Sequence, residues 1–355
     1  MATHFPVDLL PLILVRLPVK SLLRFRCVSK SWNSLITSSY FITAHINHND
    51  ANNCHALLRC YYLETREDSY ALHSDNNSLD KITELDFPSE TREFFHIIDC
   101  ANGVVCLMDS YQRYNTVLLW NPSIRKFLTL PNSNYELSTD ELMNTTLGFG
   151  FDTLNNDYKF IRIYHPNNGT LKMDIFTLST GCWTDIEIRS SLAPVKTEVA
   201  TYLDGVLHWL SYNKLIVGFN LGKEKFTEKL VLPAEIDDCF IGVWRGSLSA
   251  FETQDRDTYK LWVMKEYGVR ESWTKMFEIR GSWIVRGITR DRGLMLFQTF
   301  PSRYIDAYDP ETRHTKHDIL HLKEPLISLE MTPYIESLVL LNEGDNVPTL
   351  EPLGI

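Results

Sequence analysis

Leu9, Ile13 and Leu17 recur every four residues, as do Leu10 and Leu14, the spacing of a helix with a broad apolar face. Pro6 stands at the start of this run and Asp8 in its first turn, where the helix dipole favours a negative charge. The helix is expected to end before Pro18, whose ring disfavours helical geometry at Leu17. A second helix fits Val19 to Cys27, with Leu22, Leu23 and Cys27 inward and Lys20 and Arg24 outward. Ser29 is positioned to cap a third that carries Trp32, Leu35 and Ile36, and a short fourth is expected through Phe41 to Ile46. From about residue 54 the period changes to short apolar runs bounded by Gly, Pro, Asn and Asp, the pattern of many short strands.

Two markers recur in this second region. An aromatic at a strand end is followed by a turn and a second aromatic: Trp120 to Phe127, Phe176 to Trp183, Phe219 to Phe226, Trp262 to Trp273, and Tyr308, where Thr315 takes the partner's place. The first aromatic recurs at intervals of 56, 43, 43 and 46 residues. Before each comes a Gly or Asp opening an apolar strand, at Gly103, Asp157, Gly205, Gly246 and Gly293, in steps of 54, 48, 41 and 47. A period near 45 is that of propeller blades, and it disfavours the alternative of paired β-sandwiches. The apolar runs His55 to Leu63 and Tyr334 to Leu341 are left over. Pairing them in one blade closes the ring and removes exposed strand edges. The expectation is six blades, with seven as the alternative.

Charge changes the picture. The chain has 355 residues, 35 Lys and Arg against 45 Asp and Glu, and a net charge of −10. Residues 1–50 hold five cations (Arg16, Lys20, Arg24, Arg26, Lys30) and two acids (Asp8, Asp50), a charge of +3, which leaves −13 for the remainder. A basic head on an acidic body suggests two surfaces with different partners. A chain this acidic is not expected to bind nucleic acid. No apolar run approaches the roughly 20 residues of a membrane span, and no basic segment leads a secretory signal. Sequons at Asn76, Asn144 and Asn168 are then expected to stay silent. The seven cysteines (Cys27, Cys54, Cys60, Cys100, Cys106, Cys182, Cys239) are scattered without a C-x-x-C pair, as expected of buried thiols in a reducing compartment, the cytoplasm or nucleus.

Catalytic patterns are scarce. His314, His317 and His321 have helical metal-ligand spacing, but they lie in a strand repeat and are expected to be exposed. Gly148-Phe149-Gly150 lacks the third glycine of a dinucleotide fingerprint, Gly218 to Lys223 is one residue short of a phosphate loop, and G-x-S-x-G is absent. Asp152, Asp157, Asp237 and Asp238 are expected as turn residues or solvated charge. No metal, cofactor or catalytic residue is expected. The head carries more apolar residues than about 45 residues can enclose, so surplus apolar surface must either dock a partner or pack on the rest of the chain.

The run Phe5-Pro6-Val7-Asp8-Leu9-Leu10, then Ile13-Leu14 through Lys30-Ser31-Trp32, Leu35-Ile36 and Phe41, resembles a plant F-box. Phe5 departs from the Leu more usual there and keeps the apolar anchor. The resemblance implies a three-helix unit that binds the Skp-type linker, and through it the cullin, of an SCF ubiquitin ligase. By position, Pro6, Leu9, Leu10, Ile13, Leu14, Leu17, Pro18, Leu22, Val28 and Trp32 would bind the linker or hold the motif in shape. Residues 100–107, 119–127, 148–152 and 157–159 resemble the plant F-box-associated domain, which is kelch-like in fold. The ending Tyr334 to Asn342 is similar to the S-locus F-box group of pollen, whose family targets are basic ribonucleases of the pistil. The expected architecture is an α+β multidomain chain, an F-box over residues 1–50 and a kelch-like all-β propeller over residues 51–355. The expected function is a non-catalytic adaptor that presents a protein target, basic on the S-locus reading, for ubiquitination and proteasomal degradation. Acidic loops holding Asp140 and Glu141, Glu235, Asp237 and Asp238, and Asp255 and Asp257 are the candidate target-binding residues. The alternative of another class is a propeller enzyme with an incidental helical head.

Overall fold

A helical head leads into a six-bladed ring of antiparallel sheets. The computed structural model describes residues 9–52, 54–76, 78–87, 95–109, 116–133, 135, 145–164, 171–188, 198–254, 258–281, 284–290, 293–298 and 303–339. The head is built from α1 (Leu10–Leu14), α2 (Val19–Phe25), α3 (Lys30–Ile36) and α4 (Ser39–Asn52). The side chain of Ser29 caps α3 by accepting from the Trp32 N–H at 3.2 Å. α1 is shorter than the leucine spacing predicts. Its last turn tightens, with Arg16 and Leu17 donating to the carbonyls of Ile13 and Leu14, the 3₁₀-type ending of many helices. α2 stops two residues early, so Cys27 is exposed rather than inward. α4 is the longest helix of the head where a short one was expected, because it also packs on the propeller.

The described strands form six sheets. The first blade receives β1 (Cys54–Tyr62), β2 (Asp68–Ser74) and β3 (Lys81–Leu85). The second is β4 (Phe95–Ala101), β5 (Val104–Asp109), β6 (Val117–Asn121) and β7 (Lys126–Thr129). The third is β8 (Thr145–Asp152), β9 (Asp157–Tyr164), β10 (Lys172–Thr177) and β11 (Cys182–Glu187). The fourth is β12 (Thr201–Leu203), β13 (Val206–Leu210), β14 (Leu215–Asn220), β15 (Lys225–Phe226) and β16 (Leu230–Val231), the last two both pairing with β14. The fifth is β17 (Cys239–Trp244), β18 (Ser247–Gln254), β19 (Thr258–Met264) and β20 (Trp273–Arg280). The sixth is β21 (Ile284–Ile288), β22 (Met295–Gln298), β23 (Tyr304–Asp309) and β24 (His314–His321). The chain then returns as β25 (Leu326–Ile335), which pairs with β1 and supplies the innermost strand of the first blade. Ring closure by the two chain ends was expected, but the closing strand begins eight residues before the Tyr334 to Leu341 run and takes in only Tyr334 and Ile335 of it. Past Ile335 the chain leaves the sheet, and Leu338 enters the helical head.

Both sequence markers have a geometric meaning. Trp120, Phe176, Phe219, Trp262 and Tyr308 all sit on the third strand of their blades. A partner seven residues on is the residue directly opposite across the hairpin to the fourth strand, as in Trp120 with Phe127, Phe176 with Trp183 and Phe219 with Phe226. Such cross-strand aromatic pairs stabilise a sheet. Trp273 breaks the pattern, for it pairs with Met264 rather than Trp262. The Gly and Asp markers open the second strand. Asn102-Gly103, Asp204-Gly205 and Arg245-Gly246 hold paired positive φ angles (47 and 77, 47 and 80, 50 and 75), the two-residue hairpin turn that glycine favours. A side chain at Gly103 would also stand 2.4 Å from the Ile335 carbonyl oxygen.

The core lies between blades. Leu147, Phe149 and Trp183 of the third blade pack with Val104, Cys106 and Leu119 of the second, and Trp244, Phe251 and Leu261 of the fifth pack with Met295 and Phe297 of the sixth. The cysteines do not all follow the expected burial. Cys60, Cys106 and Cys239 are buried, Cys54 and Cys100 half-buried, Cys27 and Cys182 exposed, and all seven are free thiols. His314, His317 and His321 are exposed on β24, and no group of metal-ligating side chains occurs among the described residues. No helix among them is long and apolar enough to cross a membrane.

Candidate functional site: an open helical face and the opposite end of the propeller

The head has one side fixed and one side open. On the fixed side Leu14, Val19, Leu22, Ile36 and Phe41 form a core completed by Leu338 from beyond β25 and Ile124 from the turn after β6. The Val19 N–H donates to Glu336 Oε2 at 3.2 Å, and Asn49 Nδ2 donates to the Glu336 carbonyl at 2.9 Å. Asn121 Nδ2 in turn donates to the carbonyls of Ser337 and Val339 at 3.0 and 2.9 Å. The segment after the closing strand is therefore a wedge shared by head and ring.

On the open side Leu9, Leu12, Ile13 and Val28 remain 45, 60, 47 and 61% exposed. Four large apolar side chains cost free energy in water unless a partner covers them. The surplus apolar residues of the head thus split in both ways the sequence allowed, part against the chain itself and part outward. The structure divides the candidate linker-binding residues accordingly. Leu9, Ile13, Val28 and Pro18 are exposed; Leu14 and Leu22 are buried. Leu10, Leu17 and Trp32 are half-buried against the helical core, Trp32 edge-on to Phe25 at 5.5 Å between ring centroids. Leu17 and Trp32 therefore hold the motif in shape from within its core. Pro6 lies outside the described residues. Leu12 was missed because the four-residue spacing picks out its neighbours, and only its exposure reveals it. Lys20, Arg24 and Lys30 ring the head in solvent, whereas Arg26 donates from Nε to Asn33 Oδ1 at 2.9 Å and is partly engaged.

The head sits on one face of the propeller. α4 enters β1 at Cys54, opposite Ile335 at the end of β25, and α2 packs on the turn between β6 and β7. That face carries the first-to-second and third-to-fourth strand turns of the blades. Connections between blades, and between second and third strands, emerge on the other. Glu235, Asp237 and Asp238 lie there, on the link from β16 to β17, and all three are exposed. Lys214 Nζ donates to Asp237 Oδ1 at 2.8 Å, and that ion pair holds the Asp237 carboxyl below its usual range. Asp140, Glu141, Asp255 and Asp257 lie outside the described residues; the strand ends flanking them, Thr129 and Thr145, Gln254 and Thr258, belong to the same head-distal face.

Buried charges inside the ring are mostly compensated. Arg59 on β1 pairs with Asp68 at 2.9 Å and with Glu330 at 2.7 Å, and Glu330 also bonds His96 and accepts from the Ile97 N–H at 2.8 Å. This network ties the closing blade to the second. Lys159 pairs with Asp152 at 2.9 Å and Glu224 at 2.7 Å across the third and fourth blades. Asp152 and Asp157 also accept turn N–H groups, from Leu154 at 3.0 Å and from Ser179 at 3.1 Å, as expected of turn residues.

Asp99 on β4 has no such cation among the described residues. It accepts from the Cys100 N–H at 2.7 Å, yet burial pushes its carboxyl up to about 7. A folded value above that of the unfolded chain, ~3.9, means that stability falls as pH rises between the two. Asp99→Asn keeps the acceptor oxygen and removes the charge. It is expected to raise the melting temperature at pH 8 and leave it unchanged at pH 4; an equal shift at both would show that the ionised carboxylate is not the cause.

A family model described as the F-box domain matches residues 3–43, and one described as the F-box associated beta propeller domain matches residues 59–317. The chain belongs to the F-box-associated β-propeller family. An F-box/kelch-repeat protein of Arabidopsis thaliana is 28% identical over 319 residues, covering 84% of this chain and 86% of its own. The F-box protein CPR1 of the same plant is 26% identical over 388 residues, covering 97% and 91%. Chain and relatives thus share both parts, and the chain is a plant F-box protein with an F-box-associated propeller. In this family member the open face lies within the F-box and the acidic link within the propeller.

Proposed function

We propose that this F-box protein is the substrate-recognition subunit of an SCF-type ubiquitin ligase. The head docks a Skp-type linker, and through it the cullin, while the head-distal face of the propeller holds a protein target for ubiquitination and proteasomal degradation in the cytoplasm or nucleus. The chain itself catalyses nothing. It acts as a tether that raises the target's effective concentration at the ubiquitin-charged enzyme. The observation that carries this is the exposure of Leu9, Leu12, Ile13 and Val28 on a head whose other side is fixed to the ring. A propeller enzyme has no use for such a face. Binding of purified linker to the full chain tests the proposal, and a full chain that folds but leaves the linker free refutes it.

Lys20, Arg24 and Lys30 are placed to steer an acidic linker surface. Steering is screened by salt, so the association rate is expected to fall as ionic strength rises while the dissociation rate hardly changes. An association rate independent of salt would leave these cations a solubilising role only.

The acidity of the propeller favours a basic target, and the similarity of residues 334–342 to the S-locus F-box group makes a pistil ribonuclease the finer reading. Glu235, Asp237 and Asp238, with Asp140, Glu141, Asp255 and Asp257, are its proposed contacts. Binding of basic ribonucleases at two salt concentrations tests it: tight association at low salt supports it, and none at low salt removes it while leaving the adaptor function standing.

A further inference from the structure

Arg286 stands at the inner wall of the ring without a counter-ion among the described residues. It belongs to β21, the innermost strand of the sixth blade, and is the residue left over by a bulge, since Val285 pairs with Phe297 and Gly287 with Leu296. A bulge re-aims the side chain at the irregular position. The Arg286 Nε donates to Gln298 Oε1 at 3.1 Å, and Gln298 is itself fully buried. Among the described residues this amide is the guanidinium's partner, and it uses Nε alone, leaving the two terminal nitrogens of the fork. Partial burial depresses the Arg286 pKa and no carboxylate offsets it. Arg59 and Lys159, by contrast, each meet two carboxylates. A half-buried cation without a counter-charge is destabilising in the free protein, and an incoming anion would relieve that cost.

The surroundings narrow the ligand. Ile284, two residues before Arg286 on the same strand, is 45% exposed and stands opposite Gln298, the residue that Arg286 bonds. It begins its strand at the head-distal face. An oriented guanidinium fork therefore lies just inside a rim that carries an exposed apolar side chain, and the fork's planar geometry matches a carboxylate.

We propose that this mouth of the propeller channel holds a segment of the target protein, an Asp or Glu carboxylate bonding Arg286 while a neighbouring apolar side chain covers Ile284. The proposal rests on the adaptor function only in calling the ligand a target; the site itself stands on the geometry. It is compatible with a basic target, whose overall charge would steer approach to the acidic face while one carboxylate seats at Arg286.

The test uses the full chain mixed with purified linker, on arrays of twelve-residue peptides with a central pair fixed as Leu-Glu, Leu-Gln or Leu-phosphoserine and the other positions randomised. The Leu-Glu pool is expected to bind about tenfold more strongly than the Leu-Gln pool, the worth of one charge-assisted pair. That preference should vanish in Arg286→Gln and return in part in Arg286→Lys. Equal binding of the two pools by the wild type overturns the proposal and needs no variant. So does a preference that survives in Arg286→Gln, or a phosphoserine preference without a glutamate one. Linker binding is read in the same sample. A wild type that binds linker but does not discriminate the pools loses this inference alone, and one that discriminates without binding linker loses the adaptor function alone.

Discussion

A Leu9→Asp, Ile13→Asp double variant is expected to lose linker affinity by about a hundredfold or more while melting as the wild type does. Full burial of such a side chain is worth about 1.5–3 kcal/mol. Leu9 and Ile13 are already about half covered at 45 and 47% exposure, so a linker has roughly half of that still to gain from each. The two together give about 1.5–3 kcal/mol, and forcing two carboxylates under a partner adds a further penalty, which places the loss at about a hundredfold or more. Calorimetric titration with the purified linker measures it, and near wild-type affinity would sink the docking face. Leu22→Asp should behave differently. Leu22 is fully buried, so that variant is expected to melt the head and abolish binding through unfolding, which circular dichroism separates from a surface effect.

The second large effect belongs to ring closure. A chain ended after Pro325 is expected to lose its cooperative melting transition. The truncation removes β25 and strips β1 of its inner partner from Cys54 to Tyr62. It takes away the buried side chains of Leu326, Leu329, Tyr334, Ile335 and Leu338, and it deletes Glu330, leaving Arg59 with Asp68 alone. Losing one partner of a buried ion pair costs about 3–5 kcal/mol, and each large buried side chain about 2–5 kcal/mol. Their sum exceeds the roughly 5–15 kcal/mol that holds an ordinary domain folded. A truncated chain with an unchanged melt would show that five blades suffice. Leu338→Ala isolates the wedge: it is expected to cost about 2–5 kcal/mol and to show first in the near-ultraviolet signal of Trp32, whose ring packs against the same cluster.

Much of the fold was legible because its determinants are local. The helical periods of the head, the Ser29 cap and the paired positive φ angles at Asn102-Gly103 and Asp204-Gly205 depend on residues within one turn of each other. The seven-residue aromatic spacing is a hairpin register, and a register repeats in sequence wherever the turn has constant length. Where the turn lengthens, between Met264 and Trp273, the spacing misleads.

By itself the sequence determined the two-part organisation, the helical head, the period of the blades, and the closure of the ring by its two ends; between six blades and seven, the six sheets of the structure decided. Only the tertiary structure decided which residues close it, Leu326 to Ile335 rather than the later apolar run, because the run from Tyr334 is divided between strand and head by contacts some 300 residues away in the chain. It also divided the head's apolar residues into those covered by Leu338 and Ile124 and those left in water, a partition that periodicity cannot make since both faces obey it. And it separated the cations of the ring into paired and unpaired. Arg59, Lys159 and Arg286 are alike in sequence, each in an apolar strand. Electrostatic compensation depends on separation in space, and the carboxylates that meet Arg59 and Lys159, Glu330 and Glu224, come from distant blades or strands, while among the described residues none is brought to Arg286.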